Sequence, residues 1–434
     1  MALMRILGRR RLAGSVRAGG RKNSAVAVLP AALLADGTVR LENLPRIADV
    51  AAMVTLLRGI GVKAEAGGSG VLLLDASRIR REALDPAVAG SLRASYYLLG
   101  VLLARFGQAE VPMPGGCDIG LRPIDQHLKG LAAMGADVQI VHGCVRAQAR
   151  KLHGAHIYLD VTSVGATINL MLAACGADGT TIIENAAREP HVVDVASLLL
   201  AEGAAIIGAG TDVIKVRGGL PLHGCSHTII PDEIEAATFM MAAAGTRGDV
   251  RVENVIPRHL EPVTAKLREA GVHVREGGDW VHVCGPERCG SANVKTLPYP
   301  GFPTDAQQLM TALLSTADGT SAVTETIWDG RFRFVDDLLK MGAHIRVDGR
   351  TAIIEGVPAL SGAPVRATDL RGAAALILAG LCADGETQVD TGPYLDRGYE
   401  ALDLKLRSLG AAVWREGAEE PVDGLWSDPR SVPP

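Results

Sequence analysis

Cys117 stands in the run Pro114-Gly115-Gly116-Cys117-Asp118-Ile119-Gly120-Leu121-Arg122-Pro123, five residues before an arginine. The glycines permit backbone conformations closed to other residues and leave little bulk around the sulfur, so such a loop can open and shut over a ligand. A thiol held that way suits proton transfer or covalent capture. Arg122 presents a planar fork of donors matched to a phosphate or carboxylate, and its charge favours the thiolate of a nearby cysteine. The expected substrate is therefore anionic. Taken alone, the run reads equally well as a glycine-rich surface turn with a bystander cysteine.

The elements that must position this loop recur along the chain. Six apolar runs each close on a glycine, at Gly37, Gly107, Gly179, Gly248, Gly319 and Gly385, with spacings of 70, 72, 69, 71 and 66 residues. Six amphipathic segments close on Gly61, Gly135, Gly203, Gly271, Gly342 and Gly410, with spacings of 74, 68, 68, 71 and 68 residues. Two markers with one period of about 70 residues indicate six repeats of a single unit. Each unit reads as a helix with a glycine stop, a short strand such as Thr181-Ile182-Ile183, a second helix, and a hairpin such as 272–275 with 280–283. Units of that size form two three-unit domains more naturally than one ring or a solenoid. The segment 222–228 is the expected crossing, which implies a cleft between domains.

Composition bounds the rest. The 434 residues are too many for one core, and 48% hydrophobic, 21% charged and 3% aromatic residues describe a well-packed globular protein. A net charge of −4 gives no support for nucleic-acid or membrane-surface binding. No long apolar segment follows Arg9-Arg10-Arg11, so neither a secretory signal nor a membrane span is expected, and the cytoplasm is the default location. Seven scattered cysteines without a CxxC pair argue for free thiols and against a disulfide framework or zinc. No metal-ligand cluster is visible in the spacing of residues.

Longer motifs carry a family resemblance. The 115–127 segment, Asp160 with Ser163-Val164-Gly165-Ala166-Thr167, the run Glu184 to Pro190, Phe302-Pro303-Thr304-Asp305 and Asp396-Arg397-Gly398-Tyr399 together resemble the enolpyruvyl transferases of the UDP-N-acetylglucosamine 1-carboxyvinyltransferase type. The resemblance spans about Val16 to Arg415. It implies an α/β fold: a two-domain inside-out α/β barrel of six βαβαββ repeats, three per domain. On this reading 20–228 is one domain carrying the Cys117 loop, 1–19 with 229–415 is the other, and 416–434 is a flexible tail.

The resemblance further implies an activity. Enolpyruvyl would pass from phosphoenolpyruvate to the 3-hydroxyl of UDP-N-acetylglucosamine with release of phosphate, committing the sugar to peptidoglycan and so to cell-wall growth, cell shape and division. Carried over residue by residue, Cys117 and Asp305 are catalytic. Lys22, Arg122 and Arg397, with Arg93 and Arg371, contact phosphoenolpyruvate. The nucleotide-sugar site comprises Asn23, Arg93, Arg122, Pro123, Ile124, Asp125, Gln126, Ser163, Val164, Gly165, Asp305 and Ile327. Several cations are physically required, because unpaired anions in a water-excluding site are costly. Ser163-Val164-Gly165 at a helix start could seat a diphosphate or be a simple N-cap, and Asp305 could likewise cap a helix. No metal and no cofactor is expected, the two small molecules are the only partners, and the protein is expected to be a fosfomycin-sensitive monomer.

Some positions depart from the family pattern: Arg21, Asp118, Glu233, Asp329, Gly330 and Gly372. They leave open an enolpyruvyl transferase acting on another nucleotide, and a non-catalytic nucleotide-sugar sensor. Shikimate-phosphate transferases share the fold but lack the Gly-Gly-Cys loop.

Overall fold

The computed structural model describes residues 3–80, 84–113 and 124–417. Cys117, Asp118, Arg122, Pro123 and the stretch 418–434 lie outside the described residues. The chain is a mixed α/β protein in two compact units. One comprises residues 20–80, 84–113 and 124–230, the other 3–19 with 231–417.

In the 20–230 unit the helices Lys22–Ala31, Tyr97–Phe106 and Val164–Cys175 pack together at the centre. Val164–Cys175 is buried continuously from Ala166 to Cys175, as expected of a helix apolar on every side. Small residues let these helices close. A Cβ on Gly100 would lie 2.4 Å from the Asn169 carbonyl oxygen, and the Gly100 amide instead donates to Asn169 Oδ1 at 2.7 Å. In the other unit Glu233–Gly245, Gln307–Leu314 and Leu370–Cys382 form the corresponding buried trio. Glu233 to Ala244 and Leu370 to Leu381 are buried without interruption.

Five four-stranded sheets share one pairing pattern, a parallel pair followed by two antiparallel pairs. In the 20–230 unit His156–Tyr158 runs parallel to Thr180–Glu184, which pairs antiparallel with Val213–Arg217 and that with Ala205–Ile207. Ser226–Thr228, Thr38–Glu42, Val71–Asp75 and Lys63–Gly68 repeat this order. Gln108–Pro112, Cys144–Gln148 and Asp137–Val141 supply the antiparallel part of a third sheet. In the other unit the N-terminal strands complete two sheets: Ala13–Arg17 lies parallel to Asp249–Glu253, and Leu3–Leu7 sits between Glu386–Asp390 and Ala412–Glu416.

Two boundaries shift from the sequence reading. The segment 222–228 is not the crossing, since Ser226–Thr228 is a parallel strand beside Thr38–Glu42 and the chain leaves this unit after Ile230. Glu416 is not tail: it ends a strand paired with Leu3–Leu7, and Arg5 Nη1 donates to its Oε1 at 3.0 Å.

Candidate active site

Asp305 lies in the 3₁₀ turn Thr304–Ala306 that leads into the buried helix Gln307–Leu314. Its carboxylate does not cap that helix. Oδ1 accepts from Arg331 Nη2 at 2.7 Å, and Oδ2 accepts from Arg371 Nη2 at 3.1 Å and Nε at 3.3 Å. Both guanidiniums are nearly inaccessible, whereas the Asp305 side chain retains 27% of its exposure. Burial alone would raise the Asp305 pKa, but the charges of Arg371 and Arg331 overturn that and hold it well below the usual carboxylate range. Burial opposes the Arg371 charge too, and Asp305 reverses this and raises its pKa.

Neighbouring side chains lock this pair. Asp369 Oδ1 caps the helix Leu370–Cys382 by accepting from the Arg371 and Gly372 amides at 2.9 and 3.0 Å, which sets the backbone from which Arg371 reaches Asp305. The Arg371 guanidinium lies 5.4 Å from the Tyr399 ring centre, and the Tyr399 hydroxyl is 2.8 Å from Thr238 Oγ1. Buried Nη1 of Arg371 has no hydrogen-bond partner among the described residues. Arg331 Nη1 donates to Thr304 Oγ1 at 2.5 Å, and Thr304 donates to Glu325 Oε2 at 2.7 Å. Glu325 Oε1 accepts from Thr296 Oγ1, the Ile327 amide and the Trp328 amide at 2.9, 2.8 and 3.2 Å. One buried carboxylate therefore ties the Asp305 turn to the Ile327 loop.

In the 20–230 unit the candidate residues also gather at helix starts. Ser163 Oγ accepts from the Ala166 amide at 3.3 Å, so Ser163 is a true N-cap with Val164 and Gly165 in the first turn. A Cβ on Gly165 would stand 3.0 Å from His127 Nε2, so any side chain there would press on that ring. Asn169 Nδ2 donates to the Tyr96 carbonyl at 3.0 Å and lies 3.0 Å from His127 Nδ1. Having only hydrogens to offer, this amide nitrogen makes Nδ1 the acceptor and puts the proton of His127 on Nε2. Burial first, then the charge of Arg93, lowers the His127 pKa to about 4, with Asp125 opposing, so the ring is neutral at physiological pH. Gln126, beside it, accepts the Asp160 amide on Oε1 at 2.9 Å and donates to Asp125 Oδ2 at 2.7 Å. Lys22, at the start of its helix, pairs with Asp49 at 2.8 Å, and Asn23 follows it.

Two departures have local causes. Gly330 has φ +67°, the left-handed region that glycine enters without penalty. A Cβ on Gly372 would lie 3.1 Å from Asp369 Oδ2 and 3.3 Å from Phe334 Cβ, so the helix cap leaves it little room. Asp329 pairs with Arg350 at the surface. Arg21 and Glu233 are both buried at helix starts.

Residues 6–406 match the family model described as EPSP synthase (3-phosphoshikimate 1-carboxyvinyltransferase). The chain is 57% identical over 96% of its length to a protein of Symbiobacterium thermophilum named UDP-N-acetylglucosamine 1-carboxyvinyltransferase 3, covering 98% of that relative. The chain belongs to this carboxyvinyltransferase family. A Clostridium botulinum UDP-N-acetylglucosamine 1-carboxyvinyltransferase is 52% identical over 96% of the chain and is covered in full. Among solved structures, the enolpyruvyl transferase NikO from Streptomyces tendae superposes with a TM-score of 0.87 at 30% identity, covering 96% of this chain and 99% of its own. EPSP synthase from Acinetobacter baumannii shares the fold, with a TM-score of 0.76 at 21% identity over 96% of this chain and 100% of its own.

Within this carboxyvinyltransferase chain, the described geometry joins Asp305 to Arg371, and joins Gln126 to Asp125. Arg397 ends the 3₁₀ turn Leu395–Arg397. Sequence reasoning missed Arg331, Glu325, Asp49 and His127 as parts of these clusters. Arg331 and His127 stood inside or beside quoted motifs, a signal that could have found them. Asp49 and Glu325 left none, because the side chains that tie them to these clusters, Lys22 and Thr304, lie 27 and 21 residues away.

Proposed function

We propose that the protein transfers the enolpyruvyl group of phosphoenolpyruvate to the 3-hydroxyl of UDP-N-acetylglucosamine, releasing phosphate, as the first committed step toward peptidoglycan. The observation that carries this reading is Asp305 held by two buried guanidiniums at a helix start, in a chain of the carboxyvinyltransferase family. An ionised carboxylate beside buried arginines can take a proton from a hydroxyl while those arginines meet a phosphate.

The reaction is addition followed by elimination. Cys117 gives a proton to the methylene carbon of phosphoenolpyruvate, and the adjacent carbon becomes electrophilic. The sugar 3-oxygen bonds to that carbon as its proton passes to Asp305, giving a tetrahedral ketal phosphate. The methyl carbon then returns a proton to the Cys117 thiolate, the carbon–oxygen bond to phosphate breaks with both electrons leaving on phosphate, and an enol ether remains. While paired with Arg371 and Arg331, Asp305 is a weak base. An incoming phosphate that claims the Arg371 guanidinium frees the carboxylate to act, which couples substrate binding to base strength. Lys22, Arg93, Arg122 and Arg397 supply the remaining positive charge. Asn23, Pro123 to Gln126, Ser163 to Gly165 and Ile327 form the nucleotide-sugar site, the helix start at Val164 facing the diphosphate.

The common pairing order of the five four-stranded sheets supports six βαβαββ repeats, three per unit, in an inside-out barrel. No described helix is long and apolar enough to cross a membrane. The protein acts as a cytoplasmic monomer, without nucleic acid, on the two small molecules alone. The test is phosphate release from phosphoenolpyruvate and UDP-N-acetylglucosamine, with mass detection of the product and a Cys117→Ala control. Release that depends on this sugar supports the reading; folded protein that releases phosphate only with shikimate 3-phosphate or another nucleotide overturns it.

A further inference from the structure

We propose that Asp249, His282 and Cys284 form a surface binding site for a zinc-class divalent ion. Strands Asp249–Glu253 and Trp280–Cys284 pair with Asp249 directly opposite Cys284, and His282 lies two residues before Cys284, so strand alternation puts all three on one face. His282 Nε2 is 2.6 Å from Asp249 Oδ1, Cys284 Sγ is 3.7 Å from the same oxygen, and Sγ is 3.8 Å from Nε2. A tetrahedral zinc ion holds nitrogen and oxygen at about 2.0 Å and sulfur at about 2.3 Å, which sets ligand atoms roughly 3.3–3.7 Å apart. The Sγ–Oδ1 separation of 3.7 Å stands at the edge of that range, and the Sγ–Nε2 separation of 3.8 Å need close only slightly. The larger adjustment is that the carboxylate and imidazole, 2.6 Å apart, must part, exchanging their hydrogen bond for two coordinate bonds.

The chemistry of the donors selects the ion. Thiolate, imidazole and carboxylate together are a borderline-soft set that suits zinc or cobalt, whereas magnesium and calcium require oxygen. The charges of Arg11 and Arg275 act on this cluster, which disfavours an ion held by electrostatic attraction alone. With Asp249 at 48% and His282 at 28% side-chain exposure, an ion has an open approach and water can fill the fourth position. On the far side of Cys284, His273 is its register partner on the same sheet face, and its Nε2 accepts from Arg275 Nε at 3.1 Å, so a second imidazole lone pair lies on that face. None of these residues belongs to the candidate active site. The sequence hid the cluster because its ligands come from two strands more than thirty residues apart.

The test is cobalt titration of the chelator-treated full chain, followed by absorption. A one-equivalent complex with a thiolate-to-cobalt charge-transfer band, displaced by zinc but not by magnesium, is expected. The band should vanish in Cys284→Ser, and affinity should fall by about ten-fold or more in His282→Gln and in Asp249→Asn. Should the serine variant fail to fold, His282→Gln answers the same question. No saturable band, or a band undiminished in Cys284→Ser, overturns the proposal.

Discussion

Arg371 Nη2 lies 3.1 Å from Asp305 Oδ2, a contact between the first turns of two buried helical segments 66 residues apart. Two consequences follow from one geometry. The carboxylate stays ionised, and it stays weakly basic until something competes for the guanidinium.

Asp305→Asn should lower turnover by about 10²–10⁴-fold while nucleotide-sugar binding persists, because general-base transfer is lost and the shape is kept. Breaking a buried ion pair costs about 3–5 kcal/mol, and the partial exposure of Asp305 should bring the loss below that range. Phosphate-release kinetics with binding calorimetry and a thermal melt check both parts. Unchanged turnover would exclude Asp305 as the base.

The same pair predicts an acid limb. Its folded pKa is depressed, so the stability it contributes is complete above the unfolded carboxylate pKa of about 4 and is lost as pH falls further. Melts of wild type and Asp305→Asn should therefore differ by a constant amount above about pH 4 and draw together as pH falls below it.

Glu202 gives the opposite slope. It is fully buried, neither carboxylate oxygen has a hydrogen-bond partner among the described residues, and burial pushes its pKa up to about 9. Folding must keep it protonated, so stability is greatest below the unfolded pKa of about 4.5 and declines toward pH 9, at a cost of about 3 kcal/mol at pH 7. Glu202→Gln should melt higher than wild type at pH 8 and show little difference at pH 4. Equal melting shifts at both pH values would refute a buried acid.

Asn169→Leu removes the partners of the Gly100 amide, the Tyr96 carbonyl and His127 Nδ1 together. Orphaning buried groups costs about 1–3 kcal/mol each, so chemical denaturation should show a loss of at least that size. Gly165→Ala should instead weaken nucleotide-sugar affinity more than it lowers stability, since the added methyl meets His127 at the helix start. Calorimetry against the melt separates the two.

Fosfomycin should label one cysteine. Burial pushes Cys175 and Cys382 to about 12 and Cys225 and Cys289 to about 11, so these thiols hold almost no thiolate at neutral pH. Peptide mapping is expected to place the adduct on Cys117; an adduct confined to a buried cysteine would remove Cys117 from the mechanism.

The glycine markers were readable because each answers a local torsional demand. Of the twelve, all but Gly248 have positive φ, most where a helix ends; at the fourth unit Arg247 takes that conformation, with φ 56°, one residue early. Helix starts were equally legible: Ser163 is a cap, as one reading of its motif held. Asp305 shows where local reasoning stops. Its position before a helix allows a cap or a base, and nothing nearby in the chain distinguishes them.

The distinction comes from Arg331 and Arg371, which are 26 and 66 residues away; Arg371 reaches the carboxylate because Leu370–Cys382 packs against Gln307–Leu314. Backbone periodicity, glycine stops and caps depend on neighbours within a turn or two, so the order of residues alone specifies them. Which charges meet and which are stripped of water depend on the burial of separate helices against one another. Long-range packing therefore makes Asp305 an ion-paired carboxylate, Glu202 a buried acid, and Asp249, His282 and Cys284 a single cluster.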